Sequence, residues 1–172
     1  QDVQMAIDQL YARNVVGEVW VAGGTYYPTA AFTDESGIRG RTERHRSFIM
    51  RSGISVYGGF RGQTGDEGIN NSTTRPRDPD HLDVQWAFAN RTIFSGDVDR
   101  NDDSQKGWRW NAGEKKWEQY YGRNSYHVVW FASEGFNERT TKYEAVTAKP
   151  LPVETTLDGV VVTGGCADYG ER

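Results

Sequence analysis

The stretch "ISVYGGF", Ile54–Phe60, decides the predicted fold of this chain. β-branched and aromatic residues dominate its first half, and two glycines then allow a sharp turn. Runs with a similar glycine ending occur four more times, as "EVWVAGG", "RTIFSG", "HVVWFASEG" and "LDGVVVTGG". The closing glycines are Gly24, Gly59, Gly96, Gly135 and Gly165, at intervals of 35, 37, 39 and 30 residues. Such a period predicts a repeat architecture built from β-strands.

The repeated unit favours a parallel β-helix over other β architectures. Each repeat carries one strong strand, sometimes two, and then a long polar excursion, whereas a propeller blade needs four strands joined by short turns. An immunoglobulin-like sandwich needs a strand roughly every 8–12 residues, and the excursions at 61–90 and 99–123 are too long for that. We expect the first excursion to be a surface loop whose arginines pair with acidic residues.

The first segment, "DVQMAIDQLYARN", is the one convincing helix in the sequence. Its apolar residues follow the spacing of a single helical face. They are Val3, Ala6, Ile7, Leu10 and Tyr11. We therefore predict an all-β chain, a right-handed parallel β-helix, with a capping helix at 1–14 and coils with long loop insertions over 15–172. We expect these coils to be the N-terminal part of a longer β-helix, because a handful of coils buries little core.

The order of these segments resembles a family of large bacterial surface proteins. The segments are "AIDQLYARNVVGEVWVAGGTYYPT", "RSFIMRSGISVYGGFRG", "TIFSGDVDRND", "NSYHVV" and "TTLDGVVVTGG". The family is the right-handed β-helix, pectin-lyase-like group that includes the polymorphic outer-membrane proteins. The resemblance covers nearly the whole chain and implies a secreted or outer-surface location. It implies no particular activity, because the family includes adhesins and surface antigens and a shared fold does not transmit a reaction.

The segment "FSGDVDRNDDS", Phe94 to Ser104, is the candidate metal site. Four oxygen-bearing side chains alternate along it with the spacing of the first ligand positions in an EF-hand calcium loop. They are Asp97, Asp99, Asn101 and Asp103. The later positions of the loop do not match, since Asp102 replaces its glycine and Trp108 its final glutamate. Two interpretations of this segment remain open. It is either a looser Ca²⁺ site or an acidic turn that is solvated or paired with arginine.

The loop "KGWRWNAGEKKWEQYYGRN" is the candidate ligand-contact surface. It places five aromatic residues among polar ones: Trp108, Trp110, Trp117, Tyr120 and Tyr121. Flat rings beside hydrogen-bonding groups suit a sugar, whose C–H face packs on a ring, and such rings also anchor protein interfaces. The alternative is that the loop folds back and its rings cover the sheet, because each ring buries about 150–250 Å².

The net charge and the length of the apolar runs limit the functions that the sequence can support. The formal net charge of -4 over 172 residues gives no reason to expect a nucleic-acid partner. No apolar run approaches the roughly 20 residues of a membrane-spanning helix. Cys166 stands alone and is typical of a small buried side chain. We expect a secreted or surface-displayed segment that acts in adhesion by contacting a surface glycan or protein, without catalytic residues.

Two other functions stay open. The first is a structural stalk or filament subunit that associates end to end, because a terminal strand near "VVVTGGCADYGER" would offer an unpaired edge. The second is a polysaccharide lyase or hydrolase, by analogy with enzymes of the β-helix fold. Such an enzyme needs a base with a charge partner, or carboxylates that converge on one face. The acidic residues at 97–103 come from one local segment, which argues against catalysis.

Overall fold

A computed structural model describes residues 2–31, 43–62, 66, 69, 71–83, 87–100, 108–119, 124–132, 135–137, 142–144 and 154–166. Residues 31, 108–110, 117–119, 132, 135–137 and 142–144 are described by their backbone alone. The regular elements of these ranges are one α-helix, thirteen strands and three short 3-10 helices. In chain order they are α1 (Val3–Ala12), β1 (Gly17–Ala22), β2 (Gly24–Tyr26), β3 (Ala30–Ala31), η1 (Glu43–His45), β4 (Arg46–Arg51), β5 (Ile54–Phe60), η2 (Ser72–Thr74), η3 (Pro79–His81), β6 (Thr92–Ser95), β7 (Trp108–Asn111), β8 (Lys116–Gln119), β9 (Val129–Ala132), β10 (Gly135–Asn137), β11 (Lys142–Glu144), β12 (Leu157–Asp158) and β13 (Val160–Thr163).

Three sheets join segments that are distant in sequence. β5 lies between β1 and β12, and β6 lies between β2 and β13, with all neighbours parallel. β4 pairs with β9 in parallel and with the short β3 antiparallel. The other two sheets of the described chain are local antiparallel hairpins, β7–β8 and β10–β11. The strands predicted in the five glycine-ended runs are confirmed.

The prediction of a right-handed parallel β-helix is wrong. The described residues form small sheets of two or three strands, with no closed or solenoid sheet among them, and one helix packs beside these sheets. The fold is a mixed α/β arrangement. The repeat was misleading because a run of strand-prone residues says where a strand lies but not how many neighbours it has. The single run "LDGVVVTGG", for example, contains β12 and β13, which belong to two different sheets.

The N-terminal helix packs against β1, β4 and β5. Asp2 caps it, because its carboxylate accepts the backbone N–H groups of Gln4 at 2.9 Å and Met5 at 3.4 Å. The amide of Gln4 is buried and exchanges two hydrogen bonds with the backbone of Ile49 in β4, at 3.1 and 2.8 Å. The helix therefore satisfies backbone groups of a strand as well as covering apolar side chains.

The hydrophobic core lies between this helix and the three sheets that join distant segments. Two residues of the predicted apolar helix face are buried in it, and the other three are partly buried against it. The buried members of the core cluster are Val3, Ile7, Val19, Val21, Phe48, Met50, Ile54, Val56, Phe94 and Val128. The predicted helix and its apolar face are therefore confirmed.

A β-bulge in β5 sets the position of the candidate site. β1 and β5 pair in constant register as far as Trp20 and Tyr57, but Ala22 then pairs with Phe60. β5 thus has one residue more than β1 at its two glycines. Since side chains alternate between the faces of a strand, the extra residue brings Phe60 to the face that Trp20 occupies. Gly59 has a φ of 97°, and a Cβ there would lie 2.8 Å from a phenylalanine ring, so only glycine fits.

Candidate functional site

A cavity of about 520 Å³ lies between the first turn of α1 and the ends of β1 and β5. Three aromatic residues line it, Trp20, Tyr26 and Phe60, together with the carboxylates of Asp2 and Asp66. Its volume is in the range of about 300–1,000 Å³ that is usual for small-ligand sites. We call it the Trp20 cavity.

Trp20 and Phe60 form its aromatic wall. Their rings are stacked, with centroids 4.6 Å apart and planes 9° from parallel. The Trp20 indole Nε1–H donates to Glu18 Oε2 at 2.7 Å, which fixes the ring further. Phe60 is 2% exposed and Trp20 is 39% exposed, so Trp20 covers its neighbour and keeps ring surface open. The wall is rigid before any ligand arrives, which lowers the entropy cost of binding.

The two carboxylates are held in place by neighbouring groups. The second oxygen of Asp2, beyond its capping bonds, accepts the hydroxyl of Thr29 at 2.9 Å. Asp66 accepts the backbone N–H groups of Arg61 at 3.0 Å and Gly62 at 2.6 Å. Each carboxylate oxygen has more than one lone-pair direction, so both groups can still accept hydrogen bonds from a ligand.

Tyr26 lies where this cavity meets a second one. The second cavity, of about 350 Å³, shares Asp2, Val3 and Tyr26 with the first. It continues to Arg100, whose guanidinium lies 4.5 Å from the ring centroid of Tyr27. The Tyr26 hydroxyl donates to a backbone carbonyl of β1 at 3.1 Å, and burial raises its pKa above the ordinary 10.0. The phenol therefore stays protonated at neutral pH. The two cavities adjoin at Asp2, Val3 and Tyr26.

The arrangement suits a ligand that is apolar on one face and carries hydroxyl groups at its edge. An aromatic ring packs on the C–H face of a sugar, while carboxylates accept its hydroxyl protons. A wholly apolar ligand would displace water from the carboxylates of Asp2 and Asp66 without donating hydrogen bonds in its place. Both carboxylates already accept hydrogen bonds from protein donors, which fixes their orientation toward a ligand.

The predicted metal site is described in part. Asp97 follows β6 and is 9% exposed, and its backbone N–H donates to the hydroxyl of Ser95 at 3.2 Å. Asp99 is partly buried in the same turn, whereas Asn101 and Asp103 lie outside the described residues. In the part of the chain that the structure describes, no three His, Cys, Asp or Glu side chains come together as possible metal ligands. The calcium site stays a prediction.

The predicted aromatic loop forms a hairpin in the described backbone. β7 and β8 pair antiparallel, with Trp110 directly opposite Trp117 and Trp108 near the start of β7. Tyr120 and Tyr121 lie outside the described residues. The structure thus brings the three tryptophans onto one hairpin, and their contact with a ligand stays a prediction.

Sequence reasoning missed the Trp20 cavity. One signal was present: Trp20 alternates with Val19 and Val21 in "EVWVA", so it was readable as an outward residue of a half-buried strand. The position of Phe60 could not be predicted. Simple alternation from Ile54 places its side chain on the inner face of the sheet, and only the bulge moves it to the face of Trp20.

Comparison with known proteins finds no matching protein-family model, no matching curated protein and no matching solved structure. The resemblance to bacterial surface proteins therefore rests on the sequence segments alone. No helix in the described ranges is both long enough and apolar enough to cross a lipid bilayer.

Proposed function

We propose that this chain is a non-catalytic binding module that contacts a glycan outside the cell, with the Trp20 cavity as its binding site. The observation that carries the proposal is the fixed stack of Trp20 on Phe60 beside two positioned carboxylates. The extracellular location and a role in adhesion come from the resemblance to bacterial surface proteins and belong to the same proposal.

A glycan fits this site better than a protein surface does. Protein interfaces are broad and bury about 800 Å² on each partner, whereas this site is a concave groove with a single exposed ring at its wall. The carboxylates of Asp2 and Asp66 repel an anionic group placed between them. We therefore expect the sugar unit in the Trp20 cavity to be neutral, with its hydroxyl groups directed to these carboxylates.

Affinity electrophoresis through gels that contain neutral polysaccharides tests the proposal. Calorimetric titration with oligosaccharides of the most strongly retarding polysaccharide then measures the affinity. Trp20→Ala should weaken binding at least about tenfold, or about 1.4 kcal/mol. Phe131→Ala is the matched control, because Phe131 is an aromatic residue of β9 that is 55% exposed and does not line the cavity.

Three results would contradict the proposal. Binding could survive Trp20→Ala unchanged, Phe131→Ala could remove it equally, or no neutral polysaccharide in the panel could retard the wild-type chain. Release of reducing ends from a bound polysaccharide would favour the hydrolase alternative instead.

Self-association, as in a stalk or filament, is a second candidate function that one observation favours. In the described residues β12 and β13 each have a strand neighbour on one side only. Val162 is paired with Phe94 and lies on the inner face of its sheet by alternation, yet it is 49% exposed. An apolar inner residue that stays half exposed at a sheet edge favours pairing with another strand.

Light scattering after size-exclusion chromatography tests this second candidate over a range of concentrations. Val162→Lys should shift the chain toward monomer, while Val161→Lys, on the opposite face of the same strand, should have a smaller effect. A wild-type chain that is monomeric at every concentration would exclude self-association.

A further inference from the structure

A separate cavity of about 490 Å³ lies between the segment 76–91 and the turn that joins β12 to β13. The two described parts of this segment are joined by hydrogen bonds, with the backbone N–H of Asp78 donating to Ala87 O at 3.1 Å and that of Ala89 to Pro76 O at 3.0 Å. This cavity shares no lining residue with the Trp20 cavity. We call it the Asp78 cavity.

One acidic group of this cavity is Asp158, which a buried arginine holds. Arg75 Nη2 donates to Asp158 Oδ2 at 2.5 Å, and the arginine side chain is 5% exposed. Arg75 also donates to the backbone carbonyls of Ser72 at 2.5 Å and Gly58 at 2.7 Å, which fixes its guanidinium. The side chain of Asp158 remains 45% exposed, so its carboxylate is both positioned and accessible.

The second acidic group is Asp78. One of its carboxylate oxygens accepts the backbone N–H of Asp80 at 3.0 Å, and the other is hydrogen-bonded to His81 Nδ1 at 3.0 Å. The backbone bond first, and the histidine second, hold the pKa of Asp78 below its ordinary value. Asp78 is therefore ionised at neutral pH, and its orientation is fixed by two partners.

The cavity also has a positive group and an apolar wall. Arg91 is exposed, and its backbone is fixed because its carbonyl accepts the N–H of Gly24 at 2.9 Å. Among the described residues no carboxylate lies within ion-pair distance of the Arg91 guanidinium. Phe88, Leu157 and Val161 line the same cavity and supply apolar surface.

The lining favours a ligand that carries both charges. A simple anion could pair only with Arg91, and a simple cation only with Asp78 and Asp158, whereas a zwitterion could pair with both kinds of group. A neutral apolar molecule would displace water from the three charged side chains without offering them a hydrogen bond or an ion pair. We propose that the Asp78 cavity binds a small zwitterion of the α-amino-acid class with an apolar side chain. Its carboxylate binds Arg91, and its ammonium group binds Asp78 and Asp158.

Titration of the full chain with L-phenylalanine and L-leucine, followed by NMR chemical shifts or by calorimetry, tests this site. Phenethylamine lacks the carboxylate of phenylalanine, and 3-phenylpropanoate lacks its ammonium group. We expect the amino acids to bind at millimolar concentration or below, and each analogue to bind at least about tenfold more weakly. Arg91→Gln should weaken L-phenylalanine at least about tenfold and leave phenethylamine unweakened, while Asp78→Asn should weaken L-phenylalanine and leave 3-phenylpropanoate unweakened.

The matched controls make the same chemical changes on exposed residues outside the cavity. They are Arg13→Gln and Asp83→Asn, and neither should change the affinity. Failure of both amino acids to bind at millimolar concentration would overturn the proposal, as would equal binding of zwitterion, amine and acid. A loss of binding in the controls as large as in the cavity variants would also overturn it. Trp20→Ala should leave this binding intact, so the two sites fail or succeed separately.

Discussion

Arg75 ties the segment 71–91 to β5 and β12, and we expect Arg75→Ala to destabilise the chain strongly. Its guanidinium donates to the carbonyl of Gly58 in β5 and to the carboxylate of Asp158 in β12. It also lies 4.1 Å from the ring centroid of Phe88, in the same segment. The substitution removes all these contacts and leaves their partners in place.

The size of the effect follows from three contributions. A buried carbonyl such as Gly58 O costs about 1–3 kcal/mol when its donor is removed. The stacking of a desolvated guanidinium on Phe88 contributes roughly 1–2 kcal/mol. The ion pair adds about 1 kcal/mol or less, because solvent screens an Asp158 that is 45% exposed. Together they predict a loss of roughly 2–6 kcal/mol, a large part of a total stability of about 5–15 kcal/mol.

Urea denaturation and thermal melting, both followed by circular dichroism, measure this loss. For a chain of this size the melting temperature should fall by roughly 5–20 °C. Arg75→Lys keeps the charge but loses the planar fork, so it should be intermediate. Arg77→Ala is the matched control, since Arg77 lies farther from the same ring, at 5.4 Å, and is only partly buried. If Arg75→Ala and Arg77→Ala were equally stable, the structural role assigned to Arg75 would be wrong.

Three further predictions concern other parts of the chain. Gly59→Ala should lower the free energy of unfolding by roughly 2–4 kcal/mol in chemical denaturation, because a φ of 97° and a 2.8 Å contact both oppose a Cβ. The control Gly113→Ala, on an exposed turn, should lower it by less than about 0.5 kcal/mol. Equal losses in the two variants would contradict the bulge. The backbone N–H that Asp78 accepts lowers its pKa below 3.8, so its contribution to stability is complete above that pH and is lost as the pH falls through the folded-state pKa. Asp78→Asn should remove this part of the acid dependence in urea titrations between about pH 6 and pH 2, and an unchanged dependence would count against it. Millimolar Ca²⁺ should raise the melting temperature relative to EDTA, and the double variant Asp97→Asn/Asp99→Asn should abolish the rise; an equal rise in that variant would disprove the metal site.

The positions of the strands were predictable, whereas their assembly was not. Strand formation depends on local properties, such as the β-branched residues of β5 and β13. The number of strands in a sheet depends on contacts between distant segments, and no local period reports it. β5 pairs with β1 and with β12, which lies about a hundred residues later in the chain, as the bond between Thr156 and Ser55 across 101 residues illustrates.

The candidate sites were hidden for similar reasons. The excursion at 61–90 was expected to be a surface loop whose arginines pair with acids, and Arg75 does pair with Asp158 across 83 residues. Composition gives the charge of Arg75 but not its burial, which comes from Gly58 and Phe88 packing around it. The metal and aromatic segments are predicted from residues that are close together in sequence, whereas residues from distant segments enclose the Trp20 cavity.

The bulge at the two glycines of β5 changes the face of the sheet on which the next side chain lies. Before it, Ile54 and Val56 are fully buried on the inner face, and after it Phe60 lies on the opposite face, where Trp20 covers it. Insertion or deletion of one residue at such a glycine pair exchanges inward and outward side chains downstream and leaves the upstream core untouched. A one-codon insertion or deletion can therefore add an aromatic residue to the lining of the Trp20 cavity or remove one. The glycine pair provides a route by which chains with the same interior can diverge in the side chains that line the Trp20 cavity.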